Sequence, residues 1–243
     1  MHAVVFDHIS IAMHRMADAP AVVVGVLGGA PDSAGPSRQF RWGCWRYAGG
    51  GRLEVIEPRG ADGFLHRFLA KRGPGIHHVT FRVPSLRMAC DRAAAHGYDI
   101  VEYDDSHPEW KEAFLHPKQA LGLVVQLAEA SGSDEVLWPW TAPPAPTIPP
   151  PPVTIIGLRA RAGSRERARR QWGDVLGGEE AGLPDGELVY RWPGSPMRIA
   201  VEVDPAGDEG PIGIEVASDR PITLPPPLQS LVGARFLHGP WAT

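Results

Sequence analysis

Four side chains with metal-binding chemistry recur at matched places in two halves of the sequence. His8 lies 46 residues before Glu54, and His78 lies 48 residues before Gln126. Imidazole nitrogens and carboxylate or amide oxygens are donors that divalent transition metals accept in proteins. The spacing therefore predicts a site for one divalent cation, to which each half contributes one imidazole and one oxygen donor.

Each of these residues lies in a run typical of a β-strand, where successive side chains point to opposite faces of the sheet. His8 shares a face with Ser10 and points away from Ile9. His78 shares a face with Thr80 in the same way. Two related strand modules that pack about a pseudo-twofold axis would bring the four side chains to one point.

The pattern around these residues predicts the element order βαβββ, twice. The strands are expected at about 4–13, 40–48, 52–58, 76–83, 99–103, 112–116 and 122–129, and the helices at about 17–27 and 85–96. Gly28-Gly29 is expected to end the first helix, and Pro84-Ser85 to open the second with a cap.

A proline-rich segment with four consecutive prolines at 149–152 follows the second repeat. Proline disfavours helices and regular ladder pairing, so the segment predicts a stiff, extended linker. We predict three parts: a two-module metal-binding domain at 1–132, a linker at 133–152 and a C-terminal domain at 153–243.

The pattern returns in weaker form after the linker. Val175-Leu176-Gly177-Gly178 repeats the residues at 26–29. In the new repeats the slots of His8, Glu54 and His78 are occupied by Gly157, Ala200 and Gly213. We therefore expect a degenerate, metal-free third module and only part of a fourth.

Composition excludes several classes of protein. The chain has 243 residues, 43% of them hydrophobic, which is enough for a substantial core. Its net charge of -4, with acidic and basic residues interleaved, argues against nucleic acid as a partner. The apolar stretch at 21–27 is too short to span a bilayer, so no membrane partner is expected. Two cysteines without a Cys-x-x-Cys motif indicate a reducing, cytoplasmic location and buried thiols.

The first 130 or so residues resemble the vicinal oxygen chelate superfamily, which contains glyoxalases, bleomycin-resistance proteins and extradiol dioxygenases, and most closely its methylmalonyl-CoA epimerase branch. The resemblance is carried by Asp7-His8-Ile9-Ser10-Ile11-Ala12, Leu53-Glu54-Val55-Ile56-Glu57-Pro58, Phe64-Leu65, Gly73-Pro74-Gly75-Ile76-His77-His78-Val79, Phe114-Leu115-His116-Pro117-Lys118 and Gly122-Leu123-Val124-Val125-Gln126-Leu127. It implies an α+β fold of paired βαβββ modules around a cleft. That cleft would hold one divalent ion, such as cobalt, zinc, manganese, nickel or iron.

Carried over by position, His8, His78 and residue 126 match the epimerase metal ligands, and Glu54 takes the fourth coordinating slot. Epimerases usually have glutamate at the position of Gln126. In this chain the carboxylate comes instead from the first module, at Glu54. They also have an acidic residue in the segment at 35–40, where this chain has none. The proton-shuttling pair of that branch is therefore incomplete.

Proton removal beside a carbonyl group needs a base within hydrogen-bond reach as well as an electrophile for the enolate oxygen. Glu54 is one candidate base, acting by leaving the metal transiently. His107 and Glu109 are the others, because the segment at 104–109 could fold over the cleft.

These features support three alternative functions. The first is an isomerase or lyase of the epimerase or glyoxalase type that acts on an acyl-CoA or a small oxo-acid, with a homodimer as a further possibility. The second is an extradiol-type dioxygenase, because two histidines and one glutamate with open positions form the facial triad of iron oxygenases. The third is a non-catalytic, resistance-type protein that sequesters a ligand in the cleft.

Overall fold

The structure is a computed structural model that describes residues 3–37, 39–131, 141–182 and 187–239. These residues form two mixed β-sheets with few and short helices. The predicted α+β class with repeated βαβββ modules is thereby confirmed. In the part of the chain that the structure describes, no helix is both long and apolar enough to cross a bilayer.

The first two modules share one sheet. The first module consists of β1 (Val5–Ala12), α1 (Pro20–Val23), β2 (Ala30–Pro36), β3 (Phe40–Arg46) and β4 (Arg52–Pro58). Helix α2 (Phe64–Arg72) leads to the second, which consists of β5 (Gly75–Arg82), α3 (Leu86–Ala95), β6 (Ile100–Asp104), β7 (Trp110–Leu115) and β8 (Val124–Ala130). The strand order is β2-β3-β4-β1-β5-β8-β7-β6, so β1 and β5 are neighbours where the modules meet.

The third and fourth modules form the second sheet. The third consists of β9 (Thr154–Ala162), α4 (Arg165–Ala168), a π-helical segment (Arg169–Val175), β10 (Glu179–Gly182), β11 (Leu188–Arg191) and β12 (Arg198–Val203). The partial fourth consists of β13 (Gly210–Ala217), α5 (Pro226–Val232) and β14 (Phe236–His238). The strand order is β10-β11-β12-β9-β13-β14.

Strand β2 is absent from the sequence-based expectation. Its sequence contains Pro31, Gly35 and Pro36, which normally argue against a strand. It stands first in the strand order, at the edge of the sheet. An edge position tolerates proline because one side of the strand needs no ladder hydrogen bonds.

The first helix is shorter than predicted. It was expected at about 17–27, but regular α-helix covers only Pro20–Val23. The backbone N–H groups of Gly25 and Leu27 each bond a carbonyl five residues back instead of four, which interrupts the α-helical pattern. The predicted cap of α3 is confirmed, since the Ser85 side chain accepts a hydrogen bond from the backbone N–H of Met88.

The chain divides into two compact units. The first takes the described residues within Met1–His8, His78–Ser133 and Gly157–Ile212. Its interior contains four buried rings, those of Phe6, Phe81, Trp172 and Trp192. The Phe81 ring centroid lies 4.9 Å from that of Phe6 and 4.7 Å from that of Trp192. Rings from the first, second and third modules thus share one aromatic core.

The second unit takes the described residues within Ile9–His77, Asp134–Ile156 and Gly213–Thr243. Its core includes Ala12, Ile56, Leu65 and Leu69, flanked by partly buried Phe40, Trp42, Phe64 and Phe68. Gly28 has φ +71°, and a Cβ atom there would lie 2.5 Å from the carbonyl oxygen of Pro150. Only glycine fits where the proline segment passes this closely.

The proline-rich segment is described in part. Residues 132–140, including Trp138-Pro139, lie outside the described residues. Residues 141–153 contain no helix or strand, and the backbone N–H of Val153 donates to the carbonyl of Leu27 at 2.9 Å. The limits 1–132, 133–152 and 153–243 stay a prediction.

Cys44 and Cys90 are both buried thiols, as expected for small apolar residues. Burial, with a smaller contribution from Asp91, raises the pKa of the Cys90 thiol to about 11. A thiol with so high a pKa is mostly protonated near neutral pH and reacts slowly.

Candidate metal centre

The two modules place their candidate ligands through the same strand register. In the first module β1 runs parallel to β4, with Ser10 opposite Glu54. In the second module β5 runs parallel to β8, with Thr80 opposite Gln126. The histidine lies two residues before the paired serine or threonine in each case, so it shares their face.

His8, Glu54 and His78 come together. Each offers one ligand atom, and these atoms all lie within 4.8 Å of one another. All three residues are buried, and the imidazole centroids of His8 and His78 are 6.0 Å apart. Ligand atoms that share one cation at bond lengths of about 2.0–2.2 Å lie roughly 3–4 Å apart, which this cluster can satisfy with small movements.

Asp7 and Arg82 orient His8. The Nδ1 atom of His8 lies 2.7 Å from Oδ2 of Asp7, and Nε of Arg82 lies 2.8 Å from Oδ1 of the same carboxylate. A carboxylate only accepts hydrogen bonds, so Nδ1 carries the proton and donates it to Asp7. This leaves Nε2 of His8 as the atom that can bind a cation. A carboxylate behind a histidine ligand is a common way to fix its ring and raise its basicity.

Gln126 is held at both ends of its amide. Its Oε1 accepts a hydrogen bond from the Thr80 hydroxyl at 2.5 Å, and its Nε2 donates to Oε2 of Glu112 at 2.6 Å. The Thr80 hydroxyl oxygen also lies 2.9 Å from Nε2 of His8. The amide oxygen of Gln126 therefore points to the side of the site on which His8 lies.

The other two predicted catalytic residues do not belong to this cluster. His107 and Glu109 are exposed in the turn between β6 and β7. Their backbone carbonyls accept hydrogen bonds from the N–H groups of Trp110 and Ser131. The group of His8, Glu54 and His78 includes neither residue. A role for them in catalysis stays a prediction.

His77, beside His78 in sequence, packs among aromatic rings. Its centroid lies 5.4 Å from that of Phe64 and 4.8 Å from that of Phe68. Burial, together with the nearby charge of Arg72, lowers the pKa of His77 to about 4. Its imidazole is therefore neutral near pH 7 and serves the packing of the second unit.

The donor set fits a divalent cation of the first transition row. Two neutral imidazoles and one carboxylate suit zinc, cobalt, nickel and iron, and they leave positions for water or substrate. Burial of a carboxylate is costly unless a positive charge or hydrogen bonds compensate it. A cation among His8, Glu54 and His78 would supply that compensation.

The second sheet keeps the register but not the donors. In β9 and β12, Arg159 lies opposite Ala200, as Ser10 lies opposite Glu54 in the first module. The residue two positions before Arg159 is Gly157. Glycine and alanine offer no side-chain ligand at these positions.

Sequence reasoning missed Asp7, Thr80 and Glu112 as parts of the site. Thr80 was detectable, because strand alternation puts it on the face of His78. Asp7 and Glu112 contact the site through hydrogen bonds that alternation does not reveal. The antiparallel register that sets Phe114 opposite Gln126 brings Glu112, two residues before Phe114, within reach.

The matched family profile and the curated relative cover about half of the chain, and this half contains the site. The profile of the Glyoxalase/Bleomycin resistance protein/Dioxygenase superfamily matches residues 7–114. The uncharacterized protein YqjC of Bacillus subtilis (strain 168) is 33% identical over 132 residues, which are 52% of this chain and 92% of that protein.

Two solved structures are also similar to this chain. A methylmalonyl-CoA epimerase from Mycobacterium tuberculosis is 25% identical, with 52% of this chain and 88% of that chain covered at a TM-score of 0.48. A mutant of 4-hydroxymandelate synthase from Streptomyces coelicolor is 15% identical, with 90% of this chain and 72% of that chain covered at a TM-score of 0.62. The second match shows a shared fold that reaches beyond the first two modules.

The matched profile spans His8, Glu54 and His78, the three residues whose ligand atoms cluster. The relative from Bacillus subtilis is matched over nearly all of its length. Together with the repeated βαβββ modules, these matches show that the chain belongs to the glyoxalase/bleomycin resistance/dioxygenase superfamily.

Proposed function

We propose that this protein is a divalent-metal-dependent enzyme that moves a proton at the carbon beside a thioester or keto carbonyl. The observation that carries the proposal is the buried cluster of His8, Glu54 and His78, whose ligand atoms lie within 4.8 Å of one another. The resemblance of the surrounding sequence to methylmalonyl-CoA epimerases favours an acyl-CoA or a small oxo-acid as substrate. We also propose a reducing, cytoplasmic location.

His8, Glu54 and His78 would hold the cation, and Gln126 would add an amide oxygen. Such a cation supplies a Lewis acid that polarises the carbonyl oxygen of the substrate. Asp7 fixes the ring of His8, and the three donors lie buried, where electrostatic interactions are screened less than in water.

Glu54 is the base that we assign to the reaction. Among the three predicted candidates, only its carboxylate belongs to the cluster, whereas His107 and Glu109 lie exposed in a turn. A base must come within about 3 Å of the proton that it removes. The carboxylate of Glu54 would meet that requirement for a substrate whose carbonyl group is held at this cluster.

The assignment predicts that Glu54→Gln lowers the exchange of the substrate α-proton by about 10²- to 10⁴-fold, because glutamine keeps the shape but cannot accept a proton. The measurement is deuterium incorporation from D₂O into candidate acyl-CoAs by the metal-loaded protein. His107→Ala and Glu109→Gln are the controls and should stay within about twofold of the unsubstituted protein. Unchanged exchange in Glu54→Gln, together with a loss in either control, would show that the base is the turn residue substituted in that control and not Glu54.

Asp7 provides a second test. Asp7→Asn removes the charge that holds the Nδ1 proton of His8 and breaks the ion pair with Arg82, so metal affinity should fall by about 10- to 100-fold. Competition with a chromophoric chelator measures this directly. Asp99→Asn is the matched control, because Asp99 is exposed and bonds Gln119 instead of a candidate ligand. Equal affinities of the two variants would show that the Asp7 contact does not support the site.

The second candidate function is an iron-dependent oxygenase of the extradiol type. It is favoured by the donor set itself, since two imidazoles and one carboxylate form the facial triad of such enzymes. Oxygen consumption with a catechol by the Fe²⁺-loaded protein, without α-proton exchange, would select it. A protein that binds a ligand in the cleft yet contains no metal and is indifferent to chelator would be a sequestering protein.

A further inference from the structure

The side-chain amide of Gln126 can present either its oxygen or its nitrogen to the cation site. Only the oxygen of a glutamine side chain can bind a metal ion, because the amide nitrogen has no available lone pair. The glutamate that epimerases usually carry here presents an oxygen in either orientation. A neutral amide at this position therefore needs hydrogen-bond partners that fix its orientation.

Glu112 is the partner that fixes the orientation of the Gln126 amide. Its Oε2 accepts a hydrogen bond from Nε2 of Gln126 at 2.6 Å, and it can only accept. The nitrogen end of the amide must therefore face Glu112. Trp110 donates its indole N–H to the same oxygen at 2.9 Å, which holds the half-buried carboxylate in place.

Thr80 completes the arrangement on the other side. Its hydroxyl donates to Oε1 of Gln126 at 2.5 Å and lies 2.9 Å from Nε2 of His8. A chain of contacts thus runs from Trp110 through Glu112, Gln126 and Thr80 to His8. It leaves the amide oxygen on the side of the candidate ligands.

We propose that Glu112 is a positioning residue that directs the Gln126 amide oxygen toward the cation site and allows a neutral glutamine to replace a ligand carboxylate. The inference rests on the proposed metal site. It assigns Glu112 no proton transfer and no contact with substrate.

The test is the affinity for Co²⁺, with the visible spectrum of the bound ion as a report on its coordination. Glu112→Gln offers Gln126 either a donor or an acceptor, so the direction of the amide is no longer fixed. Co²⁺ affinity should fall by about 10- to 100-fold, with a changed spectrum. The matched control is Glu129→Gln, which removes a carboxylate that binds Lys111 and the N–H of Leu86 but not Gln126. The control should lower thermal stability without a change in affinity or spectrum.

A charge-swapped variant distinguishes positioning from a general structural role. In Glu112→Gln combined with Gln126→Glu, the amide at 112 can donate to the carboxylate at 126, and a ligand oxygen is again directed to the site. Affinity should return at least to that of the unsubstituted protein. Gln126→Glu alone places two carboxylates in contact and should not reach the affinity of the swapped pair.

Two outcomes overturn the inference in different ways. An unsubstituted protein that binds no divalent cation overturns the proposed function and this inference together. An unsubstituted protein that binds Co²⁺, with Glu112→Gln identical to it in affinity and spectrum, overturns the role of Glu112 alone. Failure of the swapped pair to recover affinity, with its fold intact by circular dichroism, also counts against the inference.

Discussion

His78→Ala is expected to abolish stoichiometric metal binding, with a loss of affinity greater than about 100-fold. Even residues that only orient a ligand are worth about 10- to 100-fold, and His78 is itself one of the three clustered donors. The loss of binding should also remove the stabilisation of the folded protein by added metal. A cation at 100 times its Kd stabilises a folded protein by about 2.7 kcal/mol, so added metal should raise the Tm of the unsubstituted protein but not of the variant.

Elemental analysis and thermal melts with and without added metal check this result. His14→Ala is the matched control, because His14 is exposed and lies outside the cluster. His8→Ala should behave as His78→Ala does. If His78→Ala retains one metal per chain and the same response to added metal, the cation does not bind where we place it.

The second large effect concerns the aromatic core of the first unit. Phe81→Ala should lower the free energy of unfolding by about 3–5 kcal/mol. The Phe81 side chain is fully buried, and its ring contacts those of Phe6, Trp172 and Trp192. Its removal leaves a cavity that rigid neighbours from two modules cannot close.

Denaturant titration of the metal-free protein measures the effect without a contribution from the cation. Met88→Ala is the control, since Met88 is 72% exposed and should change the free energy of unfolding by less than about 0.5 kcal/mol. A loss below about 1 kcal/mol in Phe81→Ala would show that the second and third modules do not depend on this core.

The sequence predicted the parts of the fold that depend on local pattern. Alternation placed His8 with Ser10 and His78 with Thr80, and the observed register agrees with both. The repeat also located the third module, whose Gly157 stands at the place of His8. These features were accessible because period-two patterns and repeats are properties of short segments.

What the sequence did not show depends on distant contacts. Strand β2 is stabilised by its edge position despite its prolines, and no local pattern reveals which strand lies at an edge. The packing of Phe81 against Trp172 and Trp192 joins residues about a hundred positions apart. Glu112 is recognisable only when the strand register fixes its neighbour Gln126.

The most direct test of the metal centre is a crystal structure of the metal-loaded protein with diffraction recorded on both sides of the metal absorption edge. We expect a single anomalous peak at about 2.0–2.2 Å from Nε2 of His8, a ring nitrogen of His78 and a carboxylate oxygen of Glu54. Anomalous density elsewhere, or none near these three side chains at saturating metal, would contradict the account.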